Sequence, residues 1–161
     1  MSAVAYKFKC DACGAEFEAP EVPEMSYGQF VMRSKGSDDS AYLDAQCERV
    51  FLESYEIVKR HPRLARLAAD QRAKVQQAVF AVTCDKAPHG ESLEIGLSPK
   101  CPSCGLQKPK SWHQIFPVRE WVLPSIKHET WNMMDAAAKA HAIDVAIQHF
   151  FDENKDRHDF Q

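Results

Sequence analysis

The sequence predicts an α+β fold in which two β-hairpins, formed far apart along the chain, close on an inserted helical hairpin, with one more helix at the C-terminal end. Three observations predict it. The unit Cys-x-x-Cys-Gly occurs twice, as CDACG at 10–14 and CPSCG at 101–105. Residues near each unit alternate apolar and polar with period two, as strands do. The middle and the last third carry apolar residues at three- and four-residue steps, as amphipathic helices do.

The elements follow in order. In AYKFKCDACGAEFE, residues 5–18, Tyr6, Phe8 and Cys10 fall on one face and Lys7 and Lys9 on the other, so a strand leads into the first cysteine pair. The chain turns at Gly14, and AEFEA returns as a second strand. Residues 19–38 hold Pro20, Pro23, Gly28 and Gly36 and read mostly as loop, with a short helical turn near 25–32. Asp38, Asp39 and Ser40 offer caps to a helix running to about Lys59, whose stripe is Leu43, Cys47, Val50, Phe51, Tyr55 and Val58. Pro62 stops it. A second helix, from about Leu64 to Cys84, lines up Leu64, Leu67, Ala68, Val75, Val79 and Val82. The short break between the two makes 38–87 a helical hairpin.

SLEIGL, 92–97, alternates and reads as a strand leading to the second cysteine pair. SWHQIFPVREWVL, 111–123, is aromatic and β-branched and reads as strand interrupted at Pro117. After Pro124 a last helix spans 129–153, with Met133, Ala136, Ala140, Ile143, Ile147 and Phe150 in one stripe. The tail NKDRHDFQ is polar and expected to fray. The expectation is a single domain over 1–161: a discontinuous β part (1–20 and 92–123), the helical insert (38–87) and the C-terminal helix (129–153).

Composition narrows the function classes. The chain has 161 residues, 45% hydrophobic and 27% charged, with a formal net charge of −3. That balance is ordinary for a globular protein and announces no global basic field. The longest apolar run, AVFAV at 78–82, is far short of a membrane span. The start, MSAVAYKFKC, carries no charged-then-apolar secretory pattern, so a cytoplasmic location with reduced cysteines is expected.

Four of the six cysteines sit in the two matched pairs. Zn²⁺ prefers four ligands in a tetrahedron, and thiolate sulfur suits it. Two intervening residues let one tight turn aim both sulfurs at a point, and the following Gly14 or Gly105 can take the positive φ that continues the turn. Cys10, Cys13, Cys101 and Cys104 are therefore the candidate ligands of one structural zinc ion per chain. Two disulfides suit a secreted chain, and a redox pair needs the first cysteine at a helix N-terminus after a strand; neither setting is present. Iron would use the same four thiolates, and the choice between the metals stays open.

YKFKCDACGAEFE and KCPSCGLQKPKSW resemble the knuckles of the zinc-ribbon and rubredoxin-like family, over about thirty residues. The resemblance implies a β-rich zinc-binding module, most often used to bind nucleic acid or protein. Here 87 residues separate Cys13 from Cys101, where compact ribbons have roughly 15–20. Closing so long a loop costs about 4 kcal/mol. Structural zinc supplies about 10–16 kcal/mol, so the gap is affordable.

The remaining candidates are blander. Cys47 and Cys84 read as small core residues on the two hairpin helices. The seven histidines lack helical i, i+4 metal spacing, and His113 is the only one near a cysteine pair. There is no Gly-x-Ser-x-Gly elbow and no phosphate-cradling glycine loop. A closed four-thiolate site has no open position for water, so an enzyme is the minority reading. The favoured function is a structural-zinc protein acting as a protein-interaction or regulatory module. The alternative is a nucleic-acid-binding regulator. It would use the basic stretch 59–74 (Lys59, Arg60, Arg63, Arg66, Arg72 and Lys74) with the ribbon, helped by Lys100, Lys108, Lys110 and Trp112.

Overall fold

The computed structural model describes residues 2–154. The chain is mixed α+β, and its contacts group it into two compact units. One takes in the chain up to Gln46 together with Lys86–Ile126; the other takes in Cys47–Asp85 and the chain from Lys127. Among the described residues, all six strands lie in the first unit and all four helices in the second.

The β unit is organised by β1 (Ser2–Cys10). On one side it pairs antiparallel with β2 (Glu16–Glu21), Phe8 opposite Phe17 and Lys9 opposite Glu16. On the other it pairs first with β5 (Pro109–Gln114), Phe8 opposite Trp112, and then with β6 (Glu120–Val122), Ala3 opposite Trp121. A second sheet pairs β3 (Gln29–Arg33) with β4 (Ser40–Asp44). Strand alternation explains the two clusters of the core. The even positions Val4, Tyr6 and Phe8 bury with Ala19 and Phe17, while Ala3 turns the other way, into Val31, Tyr42 and Leu123.

One buried charge ties this unit together. Arg33 is only 6% exposed. Its guanidinium donates to the Leu97 carbonyl at 2.9 Å, to the Pro20 carbonyl, and to Glu21 at 3.0 Å. Burial lowers its pKa and the Glu21 carboxylate opposes that shift, as a buried cation requires.

The helical unit starts at α1 (Arg49–Arg60), where the Glu48 side chain accepts from the Val50 N–H. His61 ends α1, and Pro62 opens a 3₁₀ turn, Pro62–Leu64. α2 (Ala69–Val79) runs into a second 3₁₀ turn, Phe80–Thr83. The buried Gln76 amide donates to Ser54 Oγ at 2.7 Å, locking α1 to α2. α3 (Glu129–Met133) is short, and Asp135 caps α4 (Ala136–Glu153) by accepting from the Ala138 N–H. Trp131, 1% exposed, donates through Nε1 to Glu53 at 3.0 Å, and Lys139 reaches the other Glu53 oxygen at 2.8 Å.

Several local expectations need correction. The helix expected from Asp38 begins at Arg49, and 40–44 is strand β4. Ala41, Tyr42 and Leu43 are buried in succession, so both sides of that segment are covered, a pattern a one-sided helix stripe does not have. Within the expected loop 19–38, Gln29–Arg33 is strand β3. The expected strand 92–97 makes only a bridge, Arg33 with Glu94. The second helix is shorter than 64–84 because Ala68 is extended and the Gln71 side chain takes its N–H at 3.0 Å. The last helix is broken at Met134, which leaves Met133 81% exposed rather than on the packed stripe. Cys47 precedes α1 and is exposed, not a core residue. The tail beyond Asn154, with His158, lies outside the described residues.

Candidate metal centre

Cys10 ends β1, and the next residues form the first knuckle. Gly14 N–H donates to the Cys10 carbonyl at 3.0 Å, and Cys10 N–H donates to the Ala15 carbonyl at 2.9 Å. The second knuckle repeats this pattern residue for residue: Gly105 N–H to the Cys101 carbonyl at 2.8 Å, Cys101 N–H to the Leu106 carbonyl at 3.0 Å. Both turns need a left-handed residue in the same place, and Gly14 and Gly105 supply it with φ of +72° and +74°. A Cβ at either glycine would meet nothing within 4 Å, so the requirement is one of backbone conformation and not of space.

The sheet brings the two knuckles together. β5 starts four residues after Gly105 and pairs with β1, so Cys10 lies opposite Pro109 and Asp11 N–H donates to the Lys108 carbonyl at 2.8 Å. The sulfurs of Cys10, Cys13, Cys101 and Cys104 all lie within 4.8 Å of one another. Cys13 to Cys101 is 3.5 Å and Cys10 to Cys104 is 3.6 Å. A zinc tetrahedron with bonds of about 2.3 Å has sulfur–sulfur edges of about 3.8 Å. The four thiols therefore already have the shape of a closed metal site. The two knuckles are alike in depth as well: Cys10 and Cys101 are buried, Cys13 and Cys104 exposed.

The electrostatics of the cluster suit a bound cation. At Cys101 burial acts to raise the pKa, but the N–H groups of Cys104 and Ser103 and the neighbouring thiols outweigh it and hold it at about 6. At Cys104 the Leu106 N–H acts to lower the pKa; burial and the Cys10, Cys13 and Cys101 thiols overcome it and push it up to about 12. At Cys13 the Ala15 N–H likewise loses to the Cys101 thiol and burial, and the pKa rises. One thiolate settles in the cluster and resists the next, a conflict that a divalent ion removes.

The four cysteines singled out in the sequence are thus brought together, and other candidates are not. His113 is exposed on β5 opposite Lys7, and it is not part of the cluster. Among the described residues, the four thiols are the one group of His, Cys, Asp or Glu side chains able to hold an ion. Cys84 is half-buried in the helical unit, and burial pushes its thiol up to about 12. The basic stretch 59–74 lies in the helical unit, while Lys100, Lys108, Lys110 and Trp112 belong to the β unit. Lys59 and Arg60 both approach Glu56, and Arg63 sits over the Phe151 ring at 4.5 Å while donating to Gln148.

Sequence reading missed two buried polar residues. Arg33 is one. His128 is the other: its ring lies edge-on to Phe80 and its Nδ1 is 2.7 Å from the Thr83 carbonyl. Neither carries a local signal, because the partners lie 12 to 64 residues away along the chain. No protein-family model matches this chain, and no curated protein or solved structure matches it.

Proposed function

We propose that Cys10, Cys13, Cys101 and Cys104 hold one structural zinc ion, and that the protein acts as a protein-interaction or regulatory module of the cytoplasm. The observation that carries the metal reading is the convergence of two knuckles with the same hydrogen-bond pattern onto four mutually adjacent sulfurs. Such a site leaves no coordination position for substrate, so the ion's work is to join the first strand to the segment after residue 100. Zinc is favoured over iron as the ordinary occupant of a closed structural thiolate site. The interaction role is supported by apolar side chains left exposed along β5, β6 and their connection, including Trp112, Phe116, Val118 and Val122.

Elemental analysis of the purified chain tests the metal. One zinc per chain is expected, with Cys101→Ser losing both metal and stability. Iron in its place, or no metal in a folded protein, overturns the assignment. The nucleic-acid reading keeps one specific support: Trp112 is 58% exposed, with exposed Lys108 and Lys110 beside it. Binding of an oligonucleotide that weakens steeply with salt would favour it.

A further inference from the structure

The outer edge of β5 is open. In the sheet order β2–β1–β5, no described strand lies beyond β5. Ile115 N–H donates to the Ala5 carbonyl at 3.1 Å, and the register places Lys7 opposite His113 and Lys9 opposite Ser111. In an antiparallel pair the backbone groups of alternate residues face the partner strand. His113 and Ser111 therefore spend theirs on β1, while Trp112 and Gln114 turn theirs outward. Lys110, Ser111, Trp112 and His113 are all exposed, so none of the described residues covers this edge.

From these features we propose that β5 is a self-association edge, pairing antiparallel with β5 of a second copy about a two-fold axis at Trp112. A strand edge with unsatisfied N–H and C=O groups selects another extended strand. The register centred on Trp112 is the one its own sequence favours. It gives Trp112 a reciprocal pair of backbone hydrogen bonds with its copy. Ser111 then faces His113, and Lys110 faces Gln114, so no two like charges are opposed. On one face, Phe17, Phe8 and Trp112 already form a cross-strand row, with Phe8 and Phe17 stacked at 5.7 Å. The two-fold continues that row through the partner copy's tryptophan. Antiparallel pairing also brings the start of one strand beside the end of the other. Phe116, 77% exposed and just past the end of β5, is thereby brought level with Lys108, just before the start of β5 in the copy.

This pairing deepens the protein-interaction reading by naming one partner, and it does not depend on which metal fills the thiolate site. Sedimentation of the metal-loaded full chain over about 5–200 μM spans the affinities a small dimer of this kind would have. A mass rising towards twice the chain's is expected, with Trp112→Lys monomeric throughout because it sets two cations on the two-fold. The Val145→Lys variant, in the helical unit, is expected to dimerise as the unaltered protein does. In the unaltered protein, exchange of the Trp112 amide should slow as concentration rises. A monomer at the top of the range, a dimer that survives Trp112→Lys, or an amide that exchanges at one rate throughout overturns the proposal. So does a monomer that binds a single-stranded oligonucleotide through Trp112, which would assign that ring to base stacking. Metal content measured on the same samples reports on the zinc reading separately.

Discussion

The sulfurs of Cys13 and Cys101 lie 3.5 Å apart across 87 intervening residues. What closes that distance is ordinary strand pairing: β1 delivers the first knuckle, and β5, starting just after the second, lies antiparallel beside it. The intervening chain forms β2, β3 and β4 and the first two helices. A metal held by the four thiols would join ends that the sheet has already brought together, so its binding energy would not go into closing a random loop.

Replacing Cys13 or Cys101 by Ser is expected to remove the metal and destabilise the protein by at least about 3 kcal/mol, a small part of the 10–16 kcal/mol a structural zinc supplies. Urea unfolding followed by zinc release checks this. Equal stability with and without chelator would show that the sheet, and not the metal, holds the knuckles.

Gly14→Ala and Gly105→Ala are each expected to cost about 1–2 kcal/mol, the price of a Cβ in the left-handed region. No neighbouring atom stands in the way at either position, so the two substitutions should cost similar amounts. Chemical denaturation of the metal-loaded variants measures both.

The cysteines outside the cluster should differ in reactivity. Cys47 is exposed, whereas burial pushes the Cys84 thiol up to about 12, so it stays protonated at neutral pH. An alkylating agent at pH 8 is expected to label the native, metal-loaded chain at Cys47 alone, and Cys84 only on unfolding. Peptide mass spectrometry reads the sites directly.

Glu53 gives the helical unit an acid-sensitive contact. Its hydrogen bonds from Lys139 and Trp131 lower its pKa in the folded state. The stabilisation is therefore fully present above the ordinary glutamate value and lost as pH falls through the depressed one. Glu53→Gln should flatten the acid limb of the stability profile while keeping an acceptor for Trp131. Glu53→Ala should cost a further 1–3 kcal/mol or so, because the buried indole N–H loses its partner. Thermal unfolding across acidic pH separates the two effects.

Arg33→Ala is expected to cost about 3 kcal/mol, the lower end for breaking a buried ion pair, since Glu21 keeps some contact with water. The Leu97 and Pro20 carbonyls lose their donor at the same time. Denaturation of the full chain, with the metal content held equal between the two proteins, checks it.

The four cysteines were legible in the sequence because ligand chemistry and knuckle spacing are local. Two residues between sulfurs and a glycine after them describe the turn completely. The strand β1 was legible too, since Tyr6, Phe8 and Cys10 alternate with lysines, and so was the strand interrupted at Pro117. Strand β4 was not. Ala41, Tyr42 and Leu43 are buried on both sides, and Leu43 and Cys47 happen to continue the spacing of α1, so the local pattern pointed to helix.

By itself the sequence determined which residues can ligate a metal, how each knuckle turns, and that strands and helices would both be present. The tertiary structure alone decided that β5 and β6 share one side of β1, that Arg33 would be buried against Glu21, and that Cys47 would stand in solvent while Cys84 is half-covered. The reason is physical: turns and periodicities depend on neighbours within a few residues. Burial and strand pairing depend on groups that only folding makes adjacent.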